Sequence, residues 1–594
     1  MFHAEVVVFR PDFRTFTYRT DDPTSLHRRF RIPFGRGWTE GIVVELHKPR
    51  PLPFPVKSLG EPLDPLPVIT PAHLASLREF SWEFLLPLGE VLPLALPPPG
   101  YPLPHSPEVS SLLPPERTLF LGFRLPLLLR EVRREIERGR NVKLLFPDQA
   151  LLQRVTGELE REGFSPLIPG GTPKEVLSFW EGFSRESPTV TAGILYPSFL
   201  PERGPTTLFL VDQGAGKFLL DKPLPVDLTA AALFMAEKRS LSLRVFSLAP
   251  SIALYKEWLE KGWEIRRSER PAVGKRLITD PKKRTLTKEL TSLLEERLPE
   301  RRILLLLNRV ASSPLLYCPQ CRRPLLCERD GTPLQQEEER VSCPQCQGSL
   351  PLPEGCPRCG TPLLSLRGKG IAALKHKLSS LFPDQRAEEY SRKSVGRGKR
   401  EEEVLESFQR GEFPLLLGTD LAVRPFHLQN LSLIILFYPE FDLSSPDPAA
   451  SERLFSLLTS LAWMKAESAP LVIKTDFPDL PLFSEFLADD FEGFFSRELE
   501  LRKKMGYFPF RRFLTLQGEE TPGGIRKLKA LAEKIKPHEG DPWELLGPFL
   551  PSGKKGLFPR FTLVTTSPEA LWKAIHERVL PSTPPGFRFT VDRA

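Results

Sequence analysis

All seven cysteines of this chain fall between Cys318 and Cys359. Cys318/Cys321, Cys343/Cys346 and Cys356/Cys359 form three C-x2-C pairs, and Cys327 stands alone. Thiolates two residues apart can both face one ion from a tight turn, and tetrahedral Zn²⁺ takes four such ligands. A disulfide framework would spread its cysteines through a small secreted chain. This chain has 594 residues and opens MFHAEVVVFRPDFRTFTY, which reads as a strand and a charged turn, not a targeting segment. The spacing therefore predicts a zinc-binding module. No uninterrupted apolar run approaches the ~20 residues of a membrane helix, so the expectation is a cytoplasmic protein with reduced thiols and no membrane contact.

The charge is mildly basic, 82 Lys+Arg against 74 Asp+Glu, which permits nucleic-acid binding without establishing it. Proline is abundant, 65 residues. The run PPPGYPLPHSPEVSSLLPP from Pro97 to Pro115 can pack neither as helix nor as central strand, and reads as a linker. Before it, short β-type runs at Glu5–Phe9 and Ile42–Glu45 precede a helix near Ala72–Phe84. After it, strand and helix alternate: Thr118–Leu121, Leu125–Arg138, Val142–Phe146, Gln149–Glu162, Thr207–Asp212 and Leu243–Leu248. The rhythm resumes with Thr287–Arg297 and Arg302–Leu307, is interrupted by the cysteines, and returns at Ile371–Phe382, Arg400–Gln409, Phe413–Gly418, Leu431–Phe437, Ser451–Trp463 and Pro470–Lys474. Such βαβ alternation predicts parallel sheets covered on both faces.

Two α/β lobes suggest an NTPase, whose phosphate loop reads G-x-x-x-x-G-K-[ST]. Its backbone N–H groups wrap the phosphates, its Lys pairs with them and its hydroxyl holds Mg²⁺. Here the first lobe reads Gly122-Phe123-Arg124-Leu125-Pro126-Leu127-Leu128, without the second Gly, the Lys or the hydroxyl. Gly214-Ala215-Gly216-Lys217 has the wrong glycine spacing and is followed by Phe218; Gly396-Arg397-Gly398-Lys399 fails similarly. Asp212 is followed by Gln213-Gly214-Ala215 and lacks a neighbouring acid to act as base; a turn-capping role explains it more simply. The nine histidines form no H-x3-H pair and no obvious Ser-His-Asp or Cys-His arrangement. No catalytic residue and no ATP site is assigned.

The cysteine run resembles the zinc insert of the PriA replication-restart helicase family (primosomal protein N′), which carries four C-x2-C pairs. The eighth cysteine falls here at Asp330. Matches continue in order along the chain: Phe16-Thr17-Tyr18, with the family's Asp replaced by Thr; Ile32-Pro33-Phe34-Gly35; Gly89-Glu90-Val91-Leu92; Ser247-Leu248-Ala249-Pro250-Ser251; Leu305–Arg309; Gly418-Thr419; Pro446-Asp447; Ser451-Glu452-Arg453; and Gly547-Pro548. The departures concentrate on nucleotide chemistry: the phosphate loop at Gly122–Leu128, the acidic motif at Asp212–Ala215, Arg424-Pro425, and the arginine motif, now Trp463-Met464-Lys465-Ala466-Glu467. The winged-helix domain of the family has no counterpart in the short Pro-rich linker.

The resemblance implies an α/β multidomain fold. It comprises a small β-rich 3′-end DNA-binding domain (1–100), the linker (101–116) and two degenerate RecA-like lobes (117–270; 271–310 with 366–490). A zinc insert (311–365) and a small α+β C-terminal domain (491–594) complete it. The ligand sets implied are Cys318, Cys321, Cys356 and Cys359 for one zinc, and Cys327, Cys343 and Cys346, with Asp330 as an oxygen ligand, for a second. Phe16, Thr17, Tyr18, Gly35 and Lys57 are expected at a DNA 3′ end, although either aromatic alone reads equally well as core. Lys554, Lys555 and Arg560, with Phe558 and Phe561, are expected on DNA, against the alternative of a solvated loop over core phenylalanines. The function expected is a primosome scaffold on forked or single-stranded DNA, with single-strand DNA-binding protein and the replicative helicase or its loader as partners, and without ATPase activity. The alternatives are an active ATP-dependent 3′→5′ helicase with diverged motifs, or a zinc-dependent protein-interaction module.

Overall fold

The computed structural model describes the chain except residues 102–114, 123, 185–187, 215–219, 221–223, 269–273, 281–284, 308–314, 322, 329–333, 338–339, 343–348, 363–364, 368–370, 396–398, 445–446, 520, 550–558, 584–586 and 593–594. It divides into two compact units: residues 1–247, 256–267 and 506–593, and residues 248–255 and 268–505. Most of the Pro-rich run lies outside the described residues. Its start is tied down: Arg29, in a buried ion pair with Asp64, donates to the carbonyls of Pro97 (2.6 Å) and Pro98 (2.9 Å).

In the first unit, β1 (Phe2–Val8), β2 (Phe16–Thr20), β3 (Arg29–Phe34) and β4 (Gly37–His47) form an antiparallel sheet in the order β2-β1-β4-β3. The following lobe holds β5 (Arg117–Leu121), β6 (Asn141–Leu145), β7 (Val190–Gly193), β8 (Thr206–Val211), β9 (Ser242–Ser247) and β10 (Glu264–Arg267). They make one parallel sheet, ordered β10-β5-β9-β8-β6-β7.

In the second unit, β11 (Lys275–Ile278) and β12 (Ile303–Leu307) precede the cysteine module. The module contains β13 (Leu315–Cys318), β14 (Arg323–Pro324), β15 (Gln335–Glu337), β16 (Arg340–Ser342), β17 (Ser349–Pro351) and β18 (Ser365–Arg367). The lobe resumes with β19 (Ala387–Tyr390), β20 (Leu415–Gly418), β21 (Leu433–Phe437) and β22 (Leu471–Lys474), giving a second parallel sheet, β11-β22-β21-β12-β20-β19. Strands buried on both faces read as continuous apolar runs, and all five residues of Ile303–Leu307 are buried. The helix Phe491–Met505, which the sequence reading gave to the C-terminal domain, belongs to this unit. Its Phe491, Phe494 and Phe495 pack on Phe455, and its Arg502 sits between the buried carboxylates of Glu452 (2.8 Å) and Glu498 (3.1 Å).

The last domain, in the first unit, is built of β23 (Arg512–Gln517), β24 (Trp543–Phe549), β25 (Arg560–Thr565) and β26 (Arg588–Val591) in the order β24-β25-β23-β26. With helices after β23 and β25, this is a split βαββαβ arrangement. The helix Pro71–Glu83 reaches three parts of the unit. Arg78 pairs with Glu45 (2.9 Å) of β4. His73 Nε2 contacts the Phe199 carbonyl (2.9 Å), and Phe80 packs on Phe199 and Phe234. Toward the C-terminal domain, Trp82 stacks on His576 with centroids 3.2 Å apart, and Glu83 accepts from Arg512 (3.2 Å) and Trp572 (2.7 Å). Among the described residues no helix is long and apolar enough to cross a membrane.

Two measurements test these contacts. Arg502→Met leaves Glu452 and Glu498 buried without their cation, and is expected to cost about 3–5 kcal/mol in urea unfolding. Burial brings His576 down to about 4, the Trp82 carbonyl opposing. A lowered histidine contributes stability that is complete above about pH 6.5 and is lost as pH falls toward about 4. Asp592, pushed up to about 6 by burial beside Arg512, works in the opposite sense below pH 6. Melting temperatures between pH 7.5 and 5 should therefore fall more steeply in the native chain than in His576→Phe, which keeps the stacked ring.

Candidate metal centre and surface sites

Cys318 ends β13, and Cys321 lies in the turn to β14, where its backbone N–H points at the Cys318 sulfur (3.3 Å). Cys356 and Cys359 occupy a second turn, closed by Gly360 N–H to the Cys356 carbonyl (2.9 Å) and Cys356 N–H to the Thr361 carbonyl (2.8 Å). Gly360 has φ +69°, a left-handed conformation that a side chain would strain. The four sulfurs lie within 4.8 Å of one another, with Cys318–Cys359 at 3.6 Å and Cys321–Cys356 at 3.9 Å. These separations are too long for a disulfide. They match the edge of a tetrahedron with Zn–S of about 2.3 Å, about 3.8 Å.

The electrostatics ask for a cation. Backbone N–H groups of Cys359 and Arg358 bring Cys356 down to about 7. The neighbouring thiols, Cys359 foremost, together with burial, push Cys321 up to about 12. Converging thiolates oppose one another's ionisation, and one Zn²⁺ among them removes that opposition. The donor set fits zinc, and the structure brings together the four cysteines that the resemblance implied for one site. Cys327 is buried outside this group. Cys343, Cys346 and Asp330 lie outside the described residues, so the second ligand set does too.

In the N-terminal sheet, Phe16 and Phe34 meet edge to face with centroids 5.0 Å apart, and the guanidinium groups of Arg14 and Arg10 stand over them at 5.4 and 5.5 Å. Gly35, φ +61°, follows Phe34 at the exposed hairpin turn. Lys57, exposed, accepts at its carbonyl from Arg19 N–H (2.8 Å), which sets it beside β2. Tyr18 is 5% exposed, and its hydroxyl donates to the Pro33 carbonyl (3.1 Å). Tyr18 packs in the core of the sheet, and Phe16 packs against that core from the same side of β2. Thr17 alternates to the opposite face and donates to Glu5 (2.8 Å). The sequence reading missed Glu5, although antiparallel pairing places it directly opposite Thr17.

In the C-terminal domain, Lys554, Lys555 and Phe558 lie outside the described residues. Phe561 is fully buried in the domain core, so it offers no stacking face. Arg560 is exposed, and Gln517 stands in register with both Arg560 and Arg588. Arg588, also exposed, extends the basic row and was not foreseen.

The residues at the positions expected for nucleotide motifs make internal bonds. Only Gly122–Arg124 connect β5 to the helix Leu125–Glu137, whose first turn contains Pro126. Gly122 N–H donates to the Ser247 carbonyl (2.8 Å), and proline has no N–H to offer. Gln213 is buried, its amide 3.4 Å from the Thr229 hydroxyl. Lys465 is buried and donates to the carbonyls of Ala466 (3.1 Å) and Glu467 (2.8 Å).

Two parallel-sheet lobes, a four-thiol module and small flanking β-rich domains define an α/β multidomain protein with an insert whose thiols could hold a metal ion. Residues 5–97 match the 3′ DNA-binding domain (3′BD) family model of PriA. The "Replication restart protein PriA" of Haemophilus influenzae is 26% identical over 365 residues, 58% of this chain and 50% of that protein. That of Rickettsia conorii is 24% identical over 398 residues, 64% and 61% of the two chains. This chain thus spans about half the length of the first of these relatives. Among solved structures, S. cerevisiae Dbp5 bound to RNA and ADP BeF3 matches at 10% identity, covering 73% of this chain and 97% of that one, with a TM-score of 0.36. The chain is thus similar to PriA proteins over about 60% of its length, and its residues 5–97 to their 3′ DNA-binding domain.

Zinc-free protein, prepared with a chelator, is expected to lose the structure of the cysteine module, since a structural thiolate site contributes roughly 10–16 kcal/mol of apparent binding free energy. Cys356→Ser should lower bound zinc by one ion per chain by atomic emission, while far-UV circular dichroism of the lobes persists.

Proposed function

We propose that this chain is a replication-restart factor that binds forked or single-stranded DNA and acts as a scaffold for loading the replicative helicase, without an ATP-driven motor. The match of residues 5–97 to a 3′ DNA-binding domain supports the DNA-binding part, for which Phe16, Thr17, Tyr18, Gly35 and Lys57 are the proposed contacts, with Arg10 and Arg14 supplying charge over the faces of Phe34 and Phe16. Arg560, with Lys554 and Lys555, is the proposed second DNA contact. Zinc at the four thiols shapes the insert that meets DNA or primosome proteins. The partners proposed are single-strand DNA-binding protein and the replicative helicase or its loader, in the cytoplasm.

One observation carries the motor-free part of this reading: the three-residue connection Gly122–Arg124 where a phosphate loop would wrap ATP. A phosphate cradle needs several free backbone N–H groups at a helix N-terminus plus a cation. Here Gly122 N–H is bonded to Ser247 and Pro126 supplies none. The helicase alternative would have to build its phosphate site elsewhere.

Titration against a fork with a 3′ end at the junction, the same fork without it, and plain duplex separates these readings. Expected is a preference for the first fork that is unchanged by ATP, with no fork-stimulated phosphate release. A nucleotide-dependent shift in affinity would restore the helicase reading. Equal weak binding to all three DNAs, with partner binding intact, would favour a zinc-dependent protein-interaction module.

A further inference from the structure

The four thiols of the candidate metal centre differ in their access to solvent. Cys318 and Cys356 are buried, Cys321 is half-buried and Cys359 is exposed. Cys318 and Cys359 belong to different turns, 41 positions apart in the chain, yet their sulfurs stand 3.6 Å from one another. Cys321 and Cys356 repeat that pairing across the turns at 3.9 Å. The exposed sulfur therefore has a buried partner beside it, on the other turn.

Peroxides oxidise the thiolate rather than the thiol, and the accessible thiolate is the susceptible one. A thiol that ligates zinc is deprotonated. Cys359 combines that form with exposure. Attack of its sulfur on hydrogen peroxide breaks the O–O bond; with one proton from solvent this gives a sulfenic acid and one water. The Cys318 thiolate then attacks the Cys359 sulfur, and hydroxide leaves as a second water with a second proton. Two electrons pass from the two sulfurs to the peroxide. The new bond joins the two turns, so it supplies a closure that a bond inside either C-x2-C pair would not. In a reducing compartment such a bond is transient, which suits sensing.

We propose that Cys359 is an oxidation site for hydroperoxides, with Cys318 as its resolving partner, so that the cysteine module exchanges a metal-closed form for a disulfide-closed one. This rests on zinc at the four thiols, which metal analysis of the untreated chain checks separately. The full chain, reduced, loaded with zinc and freed of reductant, would be treated with rising amounts of hydrogen peroxide. Peptide mass mapping after blocking of free thiols reads the bond formed, a chromogenic chelator reads released zinc, and limited proteolysis reads closure of the module. The first product expected is a Cys318–Cys359 disulfide, with loss of one zinc per chain and recovery on adding dithiothreitol and zinc. The oxidised module should resist protease where the chelator-treated one does not. Cys359→His keeps a donor that zinc accepts and removes the exposed sulfur; it should retain its zinc at the peroxide level that empties the native chain. A first disulfide inside either C-x2-C pair, first oxidation at any other cysteine, or equal zinc loss in Cys359→His overturns the proposal. Where Cys359→His holds no zinc, the first bond mapped in the native chain decides alone. An untreated chain without zinc overturns the metal reading instead.

Discussion

The helix Pro71–Glu83 is the contact on which the first unit depends. Its successive turns face different domains: Arg78 reaches β4, His73 and Phe80 enter the first lobe, and Trp82 and Glu83 meet the C-terminal domain. A helix used this way has no single apolar stripe, and its hydrophobic residues do not follow one face. Leu74, Leu77 and Phe80 are buried, while Trp82 remains 48% exposed and stacks its ring on His576. Leu85, just beyond the helix, is counted in the core of the C-terminal domain. The amino- and carboxy-terminal ends of the chain are therefore bound into one unit through a segment fewer than twenty residues long.

The cysteine module relies on a different constraint. Its described strands are short, four of them with three residues and one with two, and units this small bury little surface on their own. Four thiols within 4.8 Å of one another could hold a metal ion that does the work of a hydrophobic core. The turns that carry them are set by local chemistry: an N–H···S contact in one, a left-handed glycine in the other.

Much of this was legible in the sequence. Continuous apolar runs such as Ile303–Leu307 announced the buried parallel strands, and the C-x2-C spacing announced the thiol cluster. What stayed hidden depended on distant pairing. Glu5 meets Thr17 only because β1 and β2 bring it opposite, twelve positions away. The alternation of β2 did imply that Phe16 and Tyr18 share a side and Thr17 does not. The assignment of Phe491–Met505 to the second unit follows from its phenylalanines stacking on Phe455, a contact that no local pattern announces.

Three polar groups of the two lobes are spent inside the fold. Gly122 N–H goes to Ser247, the Gln213 amide to Thr229, and the Lys465 ammonium to two carbonyls of its own turn. Each bond contributes only about 0.5–1.5 kcal/mol net, but breaking one to free a buried group costs its desolvation as well. The parallel sheets need none of those groups for their own stability, because strand burial supplies it. Strand burial therefore holds the shape of each lobe independently of these three bonds.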